Sequence, residues 1–181
     1  MADNKSPQAR LPVDKYPKSI PIIRWFLLIL EAGLAIYFAL SFRLILGILF
    51  LAYGIVCLFL IFPLIRCVRC TYYGKRCNFG WGKFWVSNVF PKSEDEPFGA
   101  LHGWSILLWP VRLIPIGLGL RNLPLWIFVK FSFMQNGLFL IYLAILFIHR
   151  KFYRSQACSR CQQQKVCPVY TGRIGGLEVI K

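Results

Sequence analysis

The chain has 181 residues, of which 57% are apolar, and a formal net charge of +15. Its apolar residues are gathered in long blocks, which is typical of membrane spans and argues against a soluble globular domain. The basic residues flank these blocks, so the surface of a lipid bilayer explains the charge. No groove-reading motif accompanies it, which excludes nucleic acid as the expected partner.

The N-terminal segment, residues 1–19, is a basic arm in which prolines separate the lysine and arginine residues. It has no early apolar core of the kind found in a secretory signal peptide. We therefore expect residues 1–19 to form a disordered cytoplasmic arm.

The first transmembrane hairpin is predicted over residues 20–66, with spans at 20–42 and 44–65. Each span has enough residues to cross about 30 Å of hydrocarbon at about 1.5 Å per residue. Arg43 leaves room for only a very short turn, so the two spans should be antiparallel. The isolated Cys57 is interpreted as a small buried apolar residue.

A cysteine-rich segment, residues 67–99, follows at once and is not apolar enough to span a membrane. It opens with the spacing C-x2-C-x6-C, formed by Cys67, Cys70 and Cys77. Farther along, Trp81 and Trp85 recur at a helical step within residues 81–90. This pattern predicts a short helix lying in the membrane interface, with a loop packed on the cysteines as the alternative.

The second hairpin is predicted over residues 100–148, with spans at 100–120 and 125–148 and a short turn between them. Pro110 and Pro115 should kink or break the first of these spans, because proline removes a backbone donor inside a helix.

A second cysteine cluster lies in the C-terminal segment, residues 149–181, with the spacing C-x2-C-x5-C at Cys158, Cys161 and Cys167. Eighteen of the 22 lysine and arginine residues fall in the arm together with Arg24, the 66–99 segment and this tail, whereas the two opposite turns hold one each. By the positive-inside rule, both termini and both cysteine clusters should be cytoplasmic. The expected fold is thus an all-α membrane protein with four transmembrane helices, arranged as two antiparallel hairpins each followed by a cytoplasmic cysteine cluster.

Paired C-x-x-C elements in a reducing compartment favour a metal site over disulfides. One tetrahedral zinc site would take both C-x-x-C pairs, with Arg69 and Arg160 at matched positions beside the thiolates. Two separate sites are the alternative, each adding a third cysteine and a histidine. Their ligands would be Cys67, Cys70, Cys77 and His102, and Cys158, Cys161, Cys167 and His149. Iron–sulfur ligation and thiol redox chemistry also stay open.

A polar cluster is predicted within the bilayer. Glu31 and Arg112 lie at similar distances from the inner ends of spans that run in the same direction. A lone charge at mid-bilayer costs about 2.5–3.5 kcal/mol on insertion scales, so we expect the two side chains to be in contact. Gln135 and Asn136 are candidates to hydrogen-bond with this pair.

These features favour an integral membrane protein with a cytoplasmic, cysteine-ligated metal module, acting as a small subunit or assembly factor that docks a protein partner. One alternative is an iron–sulfur redox protein that exchanges electrons with a membrane quinone. Another is a lipid-modifying enzyme that uses the Glu31 and Arg112 cluster.

Overall fold

The computed structural model describes residues 12–93, 98, 100–128, 133–164 and 167, with only the backbone described for His102, residues 121–128 and Phe133. All regular elements in this part of the chain are helical. Three helical stretches are long and apolar enough to cross a membrane: Ser19–Phe42, Leu44–Cys67 and Gly103–Leu120. The chain therefore has the all-helical, membrane-like character that the sequence predicts.

The first two long helices are separated by a single residue. Helix α1 is Ser19–Phe42, and α2 is Leu44–Val56. Arg43 between them has an extended backbone, with φ −156° and ψ 136°. Helix α1 packs against α2, and Gly47 permits a close approach, because a Cβ atom there would lie 2.2 Å from Leu40 Cδ2.

The helical path continues beyond α2 to the first cysteine cluster through two π-helical turns, Cys57–Ile61 and Pro63–Cys67. Proline has no backbone N–H to give to a regular α-helical ladder, so a local change of helical pitch near Pro63 is physically reasonable. Cys57 is buried, as expected from the sequence.

The aromatic segment predicted to be helical is helical. It consists of a π-helical turn, Gly82–Val86, followed by α3, Ser87–Val89. Trp81 and Val86 are buried, whereas Phe84 is 74% exposed. The segment thus packs one face against the rest of the protein and presents the other outward.

The second half of the chain differs from the expected spans in its boundaries. A 3₁₀ helix, His102–Leu108, gives way at Pro110 to α4, Pro110–Phe128. The turn expected after residue 120 is helical instead. Its Arg-Asn-Leu-Pro sequence is typical of a turn. The φ angle of proline is also compatible with a helix, although the helix loses the one backbone hydrogen bond that the proline cannot donate.

Helix α5 is Phe133–Phe152, and it covers the later part of the predicted fourth span. Residues 129–132 lie outside the described part of the chain. Beyond α5, a π-helical turn, Tyr153–Ala157, and a 3₁₀ turn, Cys158–Arg160, lead into the second cysteine cluster.

Two cores hold the molecule together. The bundle core lies where α1 meets its neighbours and consists of Ala35, Phe38, Ala39, Phe50, Phe139 and Tyr142. The second core belongs to what we call the cysteine module, formed by residues 12–18, 67–86, 153–164 and 167. Outward-facing residues of α2 are apolar, with Leu44 67% and Ile45 71% exposed, which suits contact with lipid.

Candidate metal centre and intramembrane polar cluster

The two C-x-x-C elements have the same backbone conformation. In each, the amide of the second cysteine donates to the carbonyl of the first, at 3.1 Å for Cys70 to Cys67 and 3.2 Å for Cys161 to Cys158. In each, a second turn follows, in which the amide three residues later donates to the second cysteine's carbonyl, at 2.9 Å and 3.1 Å. The two elements are therefore matched turns; the first begins at the last residue of a π-helical turn and the second begins directly after one.

The two cysteine segments contact each other directly. The Cys70 thiol lies 3.2 Å from Gln163 Oε1, and Gln163 Nε2 donates to the Arg69 carbonyl at 3.4 Å. The Gln162 amide donates to the Tyr72 hydroxyl at 3.2 Å. Segments about ninety residues apart in the sequence thus form one module.

The N-terminal segment 12–18 packs between the two cysteine segments. The Val13 amide donates to the Arg160 carbonyl at 3.1 Å, and the Tyr16 amide donates to the Arg76 carbonyl at 3.0 Å. The Tyr16 hydroxyl donates to the Ala157 carbonyl at 2.6 Å, and Tyr16 is 1% exposed. This differs from the disorder expected for residues 1–19, because a buried tyrosine anchors the segment; residues 1–11 lie outside the described part.

Aromatic rings line the side of the module that meets the helices. Five of them form a chain of neighbours whose ring centroids are 4.9–5.5 Å apart: Trp25, Phe59, Phe62, Phe79 and Trp81. Trp25 Nε1 donates to the Phe79 carbonyl at 2.9 Å. The rings bury apolar surface between the helices and the cysteines, which fixes the module against α1 and the helical turns that follow α2.

Gly82 lies where only glycine fits. A Cβ atom there would stand 2.4 Å from the Tyr72 carbonyl oxygen and 2.6 Å from that of Lys75. The Gly82 amide donates to the Cys77 sulfur at 3.5 Å, and its carbonyl accepts from the Gly74 amide at 3.0 Å. The third cysteine of the first cluster is therefore held by this close backbone approach.

Burial favours the neutral form of the Cys70 and Cys158 thiols, because it raises the pKa of each. Burial is the main cause that raises the pKa of Cys70 to about 12, and the neighbouring thiols of Cys77, Cys161 and Cys167 raise it further. Burial also raises the pKa of Cys158 to about 11, against the effect of a hydrogen bond from Tyr153. A bound cation would therefore favour the ionised form of these two thiols.

Arg24 brings positive charge to the module from α1. Its Nη1 donates to Asn78 Oδ1 at 2.7 Å, and its guanidinium lies 4.7 Å from the Phe79 ring centroid and 4.4 Å from that of Tyr153. Arg69, which the sequence placed beside the thiolates together with Arg160, donates from its guanidinium to the Leu64 carbonyl at 2.9 Å. The sequence did not indicate these contacts of Arg24, because an arginine at the start of a span is normally explained by the lipid headgroups.

The thiols are gathered but do not form a closed coordination sphere. Among the described residues, no three His, Cys, Asp or Glu side chains are placed closely enough to hold a metal ion. His149 does not join the cysteines, since its Nδ1 lies 2.6 Å from Glu31 Oε2. The His102 side chain lies outside the described part of the structure. No known family model, curated protein or solved structure matches the chain.

The polar cluster predicted for the helical bundle centres on Glu31, which is 6% exposed. Arg112 Nε donates to its Oε1 at 3.2 Å, so the contact expected from the sequence is present. His149 is bound to the other carboxylate oxygen, an assignment that the sequence analysis did not make. The cluster ties α1, α4 and α5 together.

The two amides proposed for this cluster are not brought to Glu31. His149 lies about 20 Å farther along α5 than Asn136, at about 1.5 Å per residue. Asn136 Oδ1 is buried and has no hydrogen-bond partner among the described residues, as is also true of the Tyr142 hydroxyl. The prediction for these amides was wrong because Glu31 lies opposite the last turns of α5 and not opposite the middle of the fourth span.

Proposed function

We propose that this protein is a multi-pass membrane protein whose cysteine module binds a metal through thiolates from both cysteine segments. The bound metal would act as a structural staple, and the module would dock a partner as part of a small subunit or assembly factor. The observation that carries this proposal is the convergence of two matched C-x-x-C turns in one module, through the contact of Cys70 with Gln163.

The proposed topology has four spans in two antiparallel hairpins, with both termini and the module on the cytoplasmic side. It is supported by three apolar helices of spanning length and by the concentration of basic residues in the arm, the 66–99 segment and the tail. On this topology the module lies in a reducing compartment, where the thiols are available as ligands.

The chemistry of the site suits a thiophilic metal. All seven cysteines are free thiols, and thiolates are preferred ligands of zinc and of iron–sulfur clusters. Arg24 Nε is a buried donor without a partner among the described residues, so an anionic metal–thiolate centre would supply the charge it lacks. A bound metal would also offset the cost of ionising several buried thiols, because metal binding stabilises the thiolate form.

The outer surface of the short aromatic helix supports a docking role. Lys83 and Phe84 are exposed there, while Trp81 and Val86 beneath them are buried in the module. A metal that fixes the module would also fix this surface for a partner.

The test is metal analysis of the full-length protein purified without oxygen. Zinc, iron and acid-labile sulfide are quantified together in the wild type and in Cys57→Ala, which removes a cysteine that lies outside the module. At least one zinc ion or one iron–sulfur cluster per chain, retained in Cys57→Ala, supports the proposal. Sub-stoichiometric zinc, iron and sulfide in the wild type would reject it.

A second candidate function is electron exchange between an iron–sulfur centre and a membrane quinone. It is favoured by the Glu31–His149 contact, which places hydrogen-bonding and protonatable groups within the helical bundle. A visible absorption spectrum separates the two candidates. Brown protein with iron and sulfide supports this one, whereas colourless, zinc-replete protein supports the structural staple.

A further inference from the structure

Arg24 lies between the two cysteine segments and contacts both. On one side its Nη1 donates to Asn78, directly after Cys77, and its guanidinium lies over the Phe79 ring. On the other side it lies over the ring of Tyr153. The guanidinium is thus held in place by a neutral amide and two aromatic faces, which are contacts that leave its charge unbalanced.

Carboxylates do not balance this charge in the described part of the chain. Asp14 accepts from Gln162 Nε2 at 2.8 Å, and Glu31 is bound to Arg112 and His149. Arg24 Nε is buried and has no hydrogen-bond partner there. A cation in such a position is costly unless an anion lies nearby.

Thiols are the ionisable groups around it. Cys67 lies in the same buried core as Phe79, whose ring the guanidinium covers, and the buried Cys158 follows Tyr153 in the other segment. One guanidinium therefore lies against both segments that carry the C-x-x-C turns.

We propose that Arg24 is the counter-cation of the metal-loaded cysteine module. This inference rests on the proposed metal binding and adds a positioning residue that is not itself a ligand. A divalent cation held by four thiolates carries a net charge of −2, because four negative charges exceed its two positive ones. The nearby guanidinium stabilises that loaded state more than the neutral, metal-free state, and so raises metal affinity.

The experiment measures zinc affinity of the full-length protein in detergent, by competition with a chromophoric chelator. Arg24→Gln removes the charge, and Arg24→Lys keeps it without the planar donor fork. Arg43→Gln removes an equal charge at the far end of α1 and is the matched control. We expect about a 10–100-fold loss of affinity for Arg24→Gln, the range seen for groups that orient metal ligands, an intermediate loss for Arg24→Lys, and no change for Arg43→Gln.

Asn78→Ala is a second variant, needed in case Arg24→Gln does not fold. It keeps the charge of Arg24 but removes the hydrogen bond that positions the guanidinium. We expect a loss of about threefold or more in this variant, less than for Arg24→Gln. Wild-type protein that binds no zinc and carries no cluster would reject the metal site itself. Loaded wild type with Arg24→Gln and Asn78→Ala both within twofold of its affinity would overturn the role of Arg24 alone. If the wild type carries iron, the retention of iron and sulfide in the presence of a chelator is measured in place of zinc affinity. The variants are then compared with the wild type by the same criteria.

Discussion

The contact between Glu31 and Arg112 should show strong energetic coupling. Arg112→Gln leaves the Glu31 carboxylate with only His149 as a partner, and Glu31→Gln leaves the guanidinium without an opposite charge. The double variant replaces both charges by neutral amides that can still hydrogen-bond. The three variants and the wild type form a double-mutant cycle.

The magnitude follows from the burial of the two partners. Removing one member of a buried charge pair costs about 3–5 kcal/mol, mainly because the other charge is left uncompensated. Side-chain exposure is 8% for Glu31 but 59% for Arg112, so we expect about 3 kcal/mol for each single variant. The double variant should also cost about 3 kcal/mol, which is well below the sum of about 6 and gives a coupling of about 3 kcal/mol.

The assay is reversible unfolding in mixed micelles with increasing SDS, followed by helical circular dichroism. Gln135→Ala is the control, because the structure gives this half-buried residue no part in the Glu31 cluster. It should change the free energy of unfolding by less than about 0.5 kcal/mol. Single-variant effects that add to the double-variant effect within about 0.5 kcal/mol would refute the coupling.

Three further predictions concern the cysteine module. Gly82→Ala should lower the thermal midpoint and the metal content, because its Cβ would collide with backbone oxygens. Gly54→Ala is the control: its Cβ would have nothing within 4 Å, so it should leave both unchanged or raise the midpoint. Equal effects of the two variants would argue against the close approach at Gly82. Metal-free protein should lose stability as pH rises above about 8.5, because thiols ionise there in the unfolded state while Cys70 and Cys158 stay protonated in the folded state. A thermal midpoint that does not decrease as the pH is raised from 7 to 10 would contradict this. Tyr16→Phe should cost about 1–3 kcal/mol in the same SDS titration by leaving a buried carbonyl unpaired, and a cost below about 0.5 kcal/mol would show that the hydroxyl does not hold the arm.

The charge distribution and apolar blocks carried most of what the sequence could predict. Long apolar segments are readable because the bilayer imposes a length and a composition. The Glu31–Arg112 contact was predictable for the same reason, since an unpaired charge in a span is costly. The position of His149 was not, because the depth of each helix depends on where the chain turns, and α4 continues through the expected turn to Phe128.

The details of the module were beyond the sequence for a different reason. Tyr16 lies among prolines and basic residues that individually favour a solvated arm, and only its burial between the two cysteine segments reveals its role. Arg24 appeared as an ordinary headgroup residue, because its partners Asn78 and Tyr153 are distant in the sequence. Pairings of this kind depend on tertiary packing, which local patterns do not encode.

The most direct test of the shared cysteine module compares two paired variants with the wild type. One replaces Cys67 and Cys70 by serine, and the other replaces Cys158 and Cys161. Metal per chain is measured after anaerobic purification, with monodispersity checked by size exclusion. If ligands from both segments hold one centre, each variant loses all of the metal bound by the wild type. Retention of half the metal in each variant, or of the full amount in either, would contradict a shared centre.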